Sequence, residues 1–365
     1  MKHSPIKVAI LLQDLEFGGT QRHAVNLLTH LDREMFAPEL WLLRGGTDML
    51  PLAEKANVNV VWMSKSLKWV HPGALLGLLR QLRRSKPDVL YTLTVIPNIW
   101  GRVLGSITGV PAIVSSLRNG VAKQHDRWLW PLSKRIICNA ESLRTLLIER
   151  HNVDPARIAV IPNGVDTDFF APNRDEMDPR PTAIFVGRLV EQKDPITLLD
   201  AFRMTLESVP TARLIMVGNG HLRPQVDQYI RSHSLEESVT AIPGTADIRP
   251  LLNRAWVFVL SSVFEGSPNV MIEAMSSGLP VISTAVDGIP EVLEEGVTGL
   301  LAPPGDPRSL ANALTRLLSD RERCCTMGAQ ARERILHQLS LRHTTRMTEQ
   351  VFKAAFEEHV EGNCA

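Results

Sequence analysis

The 365-residue chain is 44% apolar and 22% charged, enough for about two packed domains and too apolar for a disordered polypeptide. Forty Lys and Arg stand against 39 Asp and Glu, and a net charge of +1 carries no whole-chain footprint of a nucleic-acid partner. The first apolar run, Val8 to Leu12, is far too short for a signal-peptide core or a membrane span, so a cytoplasmic chain is expected.

Short β-type apolar runs alternate with amphipathic stretches from the N-terminus onward, the pattern of parallel sheets covered by helices. Strands are predicted at Val8–Leu12, Leu40–Leu43, Val58–Val61, Val89–Leu93, Ala112–Ser115, Arg135–Cys138 and Ile158–Ile161. Turn formers then crowd together in Pro162-Asn163-Gly164, Ala171-Pro172-Asn173 and Asp178-Pro179-Arg180-Pro181, the composition of a linker. Strands resume at Ala183–Val186, Arg213–Val217, Val239–Ile242, Trp256–Leu260 and Pro280–Ser283, and from Pro307 onward only helices are expected. The predicted organisation is a Rossmann-like domain over 1–165, a linker over 166–181, a second Rossmann-like domain over 182–340 and a terminal helix over 341–365. The cysteines, Cys138, Cys324, Cys325 and Cys364, have no C-x-x-C or metal-ligand spacing and are expected to be reduced bystanders.

Three segments could carry chemistry. Glu265-Gly266-Ser267-Pro268-Asn269-Val270-Met271-Ile272-Glu273 follows a strand and opens a helix at Pro268. Two carboxylates eight positions apart could hold two hydroxyl-bearing parts of one ligand. The amides of Asn269 and Val270 lie where a helix N-terminus attracts phosphate. An ordinary βα turn bearing two surface glutamates has the same spacing. In Gly187-Arg188-Leu189-Val190-Glu191-Gln192-Lys193, Arg188 and Lys193 could converge on a pyrophosphate at a sheet's carboxyl edge, or be solvated loop charges. Gly18-Gly19 after the first strand opens a helix and would let a phosphate approach the backbone closely.

Taken together, Gly-Gly after strand one, G-R-L-x-x-x-K and E-x7-E resemble the family-four glycosyltransferases. Ile161-Pro162-Asn163-Gly164-Val165-Asp166, Asp287-Gly288-Ile289-Pro290-Glu291 and Gly296-Val297-Thr298-Gly299-Leu300 extend the resemblance over nearly the whole chain. It implies the GT-B fold and a retaining transfer, without metal or cofactor, of a hexose-type sugar from a nucleoside diphosphate. UDP is favoured and GDP is possible; the acceptor is expected to be a glycan or a polyprenyl-linked glycan. By the same resemblance Arg188 and Lys193 neutralise the diphosphate, Glu273 holds the ribose, and Glu265 meets the sugar hydroxyls with backbone near Ser267. Asn269 and Val270 supply amides to the phosphates, Gly18 and Gly19 approach the diphosphate from the other domain, and Leu341–His359 resembles a terminal segment crossing back to the first domain.

Two positions depart from the family pattern. Arg118 stands where some relatives place a histidine, and it could assist a leaving phosphate or an anionic acceptor but would be a poor base. Gln21 stands where relatives often carry glutamate. Two further motifs read as structure: Asp166-Thr167-Asp168 as a turn rather than a metal-binding D-x-D, and Gly218-Asn219-Gly220 as a turn into a helix, since its next fingerprint position is Arg223. A GT-B sugar-nucleotide epimerase, a non-catalytic glycan- or nucleotide-binding relative and a nicotinamide oxidoreductase are the alternatives.

The neutral total hides a basic first domain. Between Lys55 and His125 the only acidic residue is Asp88, against Lys55, Lys65, Lys68, Arg80, Arg83, Arg84, Lys86, Arg102, Arg118 and Lys123. Trp69 to Arg80 joins an aromatic residue and leucines to cations on a predicted helix, and Trp128-Leu129-Trp130 repeats the combination beside Arg127, Lys134 and Arg135. These segments suit an anionic membrane surface, or else are leucines packed on the sheet beneath a solvated basic face.

Overall fold

The computed structural model describes residues 4–16, 18–55, 57–66, 69–118, 128–245, 247–265 and 268–364. Ser267, with Gly266, and the basic Lys68, Lys123 and Arg127 lie outside the described residues. The chain divides into two compact units, Met1–Gly164 with Leu341–Ala365, and Val165–Ser340.

The first unit runs β1 (Ile6–Leu12), α1 (Gly19–His30), β2 (Phe36–Leu42), α2 (Leu50–Lys55), β3 (Asn59–Trp62), α3 (Pro72–Ser85), β4 (Val89–Thr92), α4 (Val95–Ile107), β5 (Ala112–Leu117), β6 (Arg135–Cys138), α5 (Glu141–His151) and β7 (Ile158–Val160). Its seven strands lie in the order β3-β2-β1-β4-β5-β6-β7, with every pairing parallel. The second unit runs β8 (Thr182–Val186), α6 (Pro195–Ser208), β9 (Arg213–Val217), α7 (Arg223–Ser232), β10 (Val239–Ile242), α8 (Arg249–Arg254), β11 (Val257–Leu260), α9 (Asn269–Ser276), β12 (Val281–Thr284), α10 (Ile289–Val292), β13 (Gly299–Ala302), α11 (Pro307–Leu318) and α12 (Arg321–Arg334). Its six strands lie in the order β10-β9-β8-β11-β12-β13, also all parallel. Strands such as Thr182–Val186 and Val257–Leu260 are buried throughout, as expected of parallel strands covered on both faces.

In each sheet the strand order reverses beside the first strand, between β1 and β4 and between β8 and β11. That reversal leaves a crevice at the carboxyl ends, the usual ligand position in doubly wound sheets.

Two strands differ from the sequence expectation. β2 starts at Phe36, four residues before Leu40, and contains Pro38. β3 pairs only from Glu39 onward, so Pro38 faces a partner strand on one side alone and its missing N–H is tolerated there. β13 was not expected, because Gly299 resembles a turn former. A Cβ there would come within 2.0 Å of the Val281 carbonyl oxygen, so glycine is what lets β13 lie against β12.

Residues 166–181, expected as a linker, pack into the second unit. Phe170 and Met177 are buried in its core, and Asp178 accepts the Trp256 indole N–H at its carbonyl, 2.7 Å away. The terminal helix α13 (Leu341–Cys364) belongs to the first unit. Phe352 enters that unit's core edge-on to Tyr91 and Phe36, with ring centroids 5.2 and 6.4 Å apart, and Glu349 accepts the Asp32 N–H at 2.7 Å. Among the described residues no helix is long and apolar enough to cross a membrane.

Candidate active site

The site is built at the carboxyl edge of β8 and β11. After β8 the chain turns at Gly187, whose N–H bonds the Val217 carbonyl at 3.0 Å. The neighbouring Gly218-Asn219-Gly220 turn lies directly on this backbone. A Cβ at Gly218 would sit 1.9 Å from the Gly187 oxygen, and one at Gly220 would sit 2.0 Å from the Leu189 oxygen. The two glycines therefore serve close backbone packing of the Gly187-Arg188-Leu189 turn, which accounts for an incomplete dinucleotide fingerprint. A single 3₁₀ turn over Glu191–Lys193 follows, ended by Asp194 in the left-handed region at φ +42°, whose side chain caps α6 through Thr197 N–H.

That turn points Lys193 inward. Lys193 forms an ion pair with Glu265, the two side chains being 11% and 7% exposed. Glu265 Oε1 also accepts the Ser262 hydroxyl at 2.7 Å, and the Glu265 N–H donates to Asp287 Oδ2 at 2.7 Å. Ser261 Oγ lies 2.8 Å from the carbonyls of both Lys193 and Asp194, while Thr284 donates to the Ser262 carbonyl at 2.6 Å. Two opposite charges removed from water must be held in good geometry, and the Ser262 hydroxyl on Glu265 Oε1 with the Asp287 contact to the Glu265 N–H fixes the carboxylate of this pair.

Arg188 is exposed at the same edge and donates to Gln192 Oε1 at 3.1 Å. Gln192 in turn donates to the Phe264 carbonyl at 3.1 Å and accepts the Val263 N–H at 2.8 Å through its own carbonyl, tying the loop of Arg188 to the loop of Glu265. α9 begins at Asn269 after Pro268, without a side-chain cap and without an acidic residue in its first turn. Asn269 and Val270 thus form the N-terminal turn of a helix that starts beside Glu265, an arrangement suited to an anion. Glu273 is buried one turn further along, with its carbonyl accepting both the N–H and the hydroxyl of Ser277.

Of the residues singled out in the sequence, the structure joins Lys193 to Glu265 directly and links Arg188 to them through Gln192. The supporting residues Ser261, Ser262, Gln192 and Asp287 were missed as functional. Asp287 had a signal of its own: it stands inside a quoted motif and holds φ +44°, a conformation that favours glycine and that aspartate tolerates.

Gly18, Gly19 and Arg118 belong to the first unit. Gly18 is the N-cap of α1 and accepts the Arg22 N–H at 3.0 Å; the helix has no side-chain cap and no acid in its first turn. Gln21 donates its amide to the buried Asp14 at 3.1 Å, and Arg44 pairs with the same carboxylate at 2.8 Å. A glutamate at position 21 would set one carboxylate against another, so the departure at Gln21 follows from Asp14. Arg118, just past β5, donates to Asn163 Oδ1 and stands beside Tyr91 and His23. Burial lowers its pKa, and Tyr91 opposes the shift. Burial, and then the Arg118 charge, hold His23 well below the ordinary histidine range, so this imidazole is neutral. Burial also pushes the Cys138 and Cys324 thiols up to about 12, which keeps them protonated.

Asp166 Oδ1 accepts the N–H groups of Asp168 and Phe169 at 3.1 and 2.9 Å, so the D-x-D sequence is a local turn. Among the described residues no group of three potential ligands could hold a metal ion.

The description "Glycosyltransferase Family 4" matches residues 17–169, and "Glycosyl transferases group 1" matches residues 166–334. This chain is a family-four glycosyltransferase. The UDP-Gal:alpha-D-GlcNAc-diphosphoundecaprenol alpha-1,3-galactosyltransferase of Escherichia coli is 29% identical to it over 354 residues, covering 87% of this chain and 89% of that protein. The D-inositol 3-phosphate glycosyltransferase of Kineococcus radiotolerans is 33% identical over 228 residues, 55% of this chain and 52% of that one. The fold is GT-B, superposing on Anabaena HepE in complex with UDP with a TM-score of 0.82 at 19% identity, over 96% of this glycosyltransferase and 100% of HepE. A glycosyltransferase from Rickettsia africae gives a TM-score of 0.85 at 16% identity, over 97% and 99% of the two chains.

Proposed function

We propose that this glycosyltransferase moves a hexose from a UDP-sugar to a hydroxyl of a lipid-diphosphate-linked glycan, with retention of anomeric configuration and without a metal ion. The observation that carries the reading is the Lys193–Glu265 pair at the carboxyl edge of β8 and β11, flanked by Arg188 and by the first turn of α9. UDP is favoured over GDP because UDP-Gal and UDP appear in the names of the E. coli relative and the HepE complex. The diphosphoundecaprenol acceptor of that relative favours a lipid-linked acceptor here, met at the cytoplasmic face of a membrane.

The residues fit this chemistry. Cleavage of the bond between the anomeric carbon and the β-phosphate oxygen leaves negative charge on UDP and positive charge on the sugar. Lys193, Arg188 and the amides of Asn269 and Val270 would stabilise the first, while the Glu265 carboxylate orients the sugar hydroxyls. The acceptor oxygen bonds to the anomeric carbon on the face the phosphate leaves, and its proton passes to the departing phosphate oxygen. No protein base is then required, consistent with an arginine at position 118. By the same family resemblance, Glu273 takes the ribose hydroxyls.

The test is incubation of the purified chain with UDP-galactose, UDP-glucose or GDP-mannose and a membrane lipid extract, in the presence of a chelator. Transfer to lipid from a UDP-sugar, giving an α-linked product by NMR, is the expected result. A strict metal requirement, or inversion, contradicts the corresponding part of the reading. Conversion of the nucleotide sugar without any acceptor would identify an epimerase.

A further inference from the structure

α4 exposes large apolar residues that a helix covering a sheet usually buries. Its inner side carries Gly101 and Gly105, where a Cβ would come within 2.4 Å of Thr92 Cγ2 and 3.0 Å of Ile113 Cδ1, so the helix lies close against β4 and β5. Ile96 and Leu104 also pack on the core, but three large apolar residues of the helix are exposed: Val95, Trp100 at 38% and Ile107 at 67% exposure. The one charged residue of the helix, Arg102, is fully buried, with its guanidinium 4.3 Å above the Trp130 ring. The outward face of α4 is therefore free of charge and largely apolar, with Ser106 its exposed polar residue, where a solvated helix normally places charged and polar side chains.

The surroundings of this face are apolar and cationic. The 3₁₀ turn over Trp130–Leu132 packs on α4 and exposes Leu132, and Trp128, two residues before this turn, is 81% exposed. On the other side α3 shares α4's core cluster through Leu78 and Leu82, and exposes Leu76, Arg80, Arg83 and Arg84, followed by Lys86. The single acidic residue between Lys55 and His125, Asp88, is committed to the Lys7 N–H at 2.8 Å. The structure also redistributes the sequence expectation. Ala74, Leu78 and Leu82 of α3 are core residues and Trp130 is buried, so neither the α3 leucines nor both tryptophans are available to lipid.

We infer that the outer face of α4, with Trp128 and the α3 arginines, is the surface by which this enzyme lies on an anionic bilayer. Trp100, Ile107 and Trp128 enter the headgroup boundary while Arg80, Arg83 and Arg84 meet lipid phosphates. Charge selects this occupant. An apolar helix face without a carboxylate of its own, beside the α3 arginines, matches an anionic lipid surface, whereas two copies of it would set like charges against each other. The inference rests on the lipid-linked acceptor reading and supplies the surface that reading needs.

The test is co-sedimentation of the full chain with vesicles of phosphatidylglycerol and phosphatidylcholine, or of phosphatidylcholine alone, alongside the variants Ile107→Ser, Trp128→Ser and Arg80→Ser/Arg83→Ser. The expected result is binding to the anionic vesicles only, weakened about tenfold by each exposed-residue variant, with unchanged transfer to a short-chain, water-soluble acceptor. Undiminished binding by the variants, equal binding to both vesicles, or a concentration-dependent dimer abolished by the same variants overturns the assignment. Absence of wild-type binding to the anionic vesicles, with wild-type transfer intact in detergent, sinks the surface and spares the proposed function. Vesicle binding without transfer to any acceptor does the reverse.

Discussion

The two units wind their sheets in the same order about β1 and β8, yet finish the carboxyl edges with opposite electrical designs. In the second unit a cation and an anion, Lys193 and Glu265, are buried against each other and braced by Ser262 and Asp287. In the first, Arg118 is held by the neutral Asn163 beside a neutral histidine and a tyrosine, and the charge pair of Asp14 with Arg44 is tied to Gln21. A paired edge suits a ligand of fixed charge, as the esterified diphosphate of a nucleotide sugar is. An edge whose cation is held by neutral groups suits a partner that brings its own charge.

The largest expected effect breaks the paired edge. Lys193→Ala or Glu265→Ala leaves an uncompensated buried charge, with an expected loss on the order of 3 kcal/mol by denaturant titration and no measurable transfer. The double replacement Lys193→Met/Glu265→Leu is expected to recover much of the stability and none of the activity, separating folding from chemistry.

Next comes Asp287, which sharpens the role of bracing. Asp287→Gly relieves the left-handed backbone but removes the acceptor for Glu265 N–H, so kcat is expected to fall about tenfold with the fold at least as stable. Asp287→Asn, which keeps an acceptor oxygen, should recover most of kcat. Equal kcat for all three chains would mean the contact does nothing for catalysis.

On the first edge, Gln21→Glu sets a carboxylate against Asp14 and is expected to cost about 1 kcal/mol at neutral pH, less in acid, while leaving UDP affinity unchanged. The smallest effect is that of His23. Its folded pKa lies well below the ordinary 6.5, so below that pH the unfolded chain binds a proton that the folded chain refuses. Stability is therefore undiminished above 6.5 and declines as pH falls below it toward the folded pKa, and His23→Gln should flatten this part of a pH-dependent urea profile.

The same contrast explains what could be read from the sequence. The alternation of apolar runs announced both sheets, and the spacings of Arg188 to Lys193 and of Glu265 to Glu273 marked two charged segments, because each of these patterns is local; the pairing of Lys193 with Glu265, 72 residues further on, is not. Asp287 reaches Glu265 across 22 residues of sequence, and no spacing rule exposes such a contact. Pro38 and Gly299 obscured strands because their tolerance depends on which side a neighbour occupies. The proposed membrane surface differs from the sequence expectation for a related reason: composition identified basic, aromatic segments, but only the packing tells Trp128 from the buried Trp130, or the outward residues of α4 from the inward leucines of α3.

The central claim, that the paired edge of the second unit holds the donor diphosphate, is tested most directly by calorimetric titration of UDP in the presence of a chelator. Wild-type chain should bind, and Lys193→Gln, verified as folded by circular dichroism, should lose most of that affinity. Equal affinity in both proteins, or binding that appears only when a divalent metal is restored, would contradict the account.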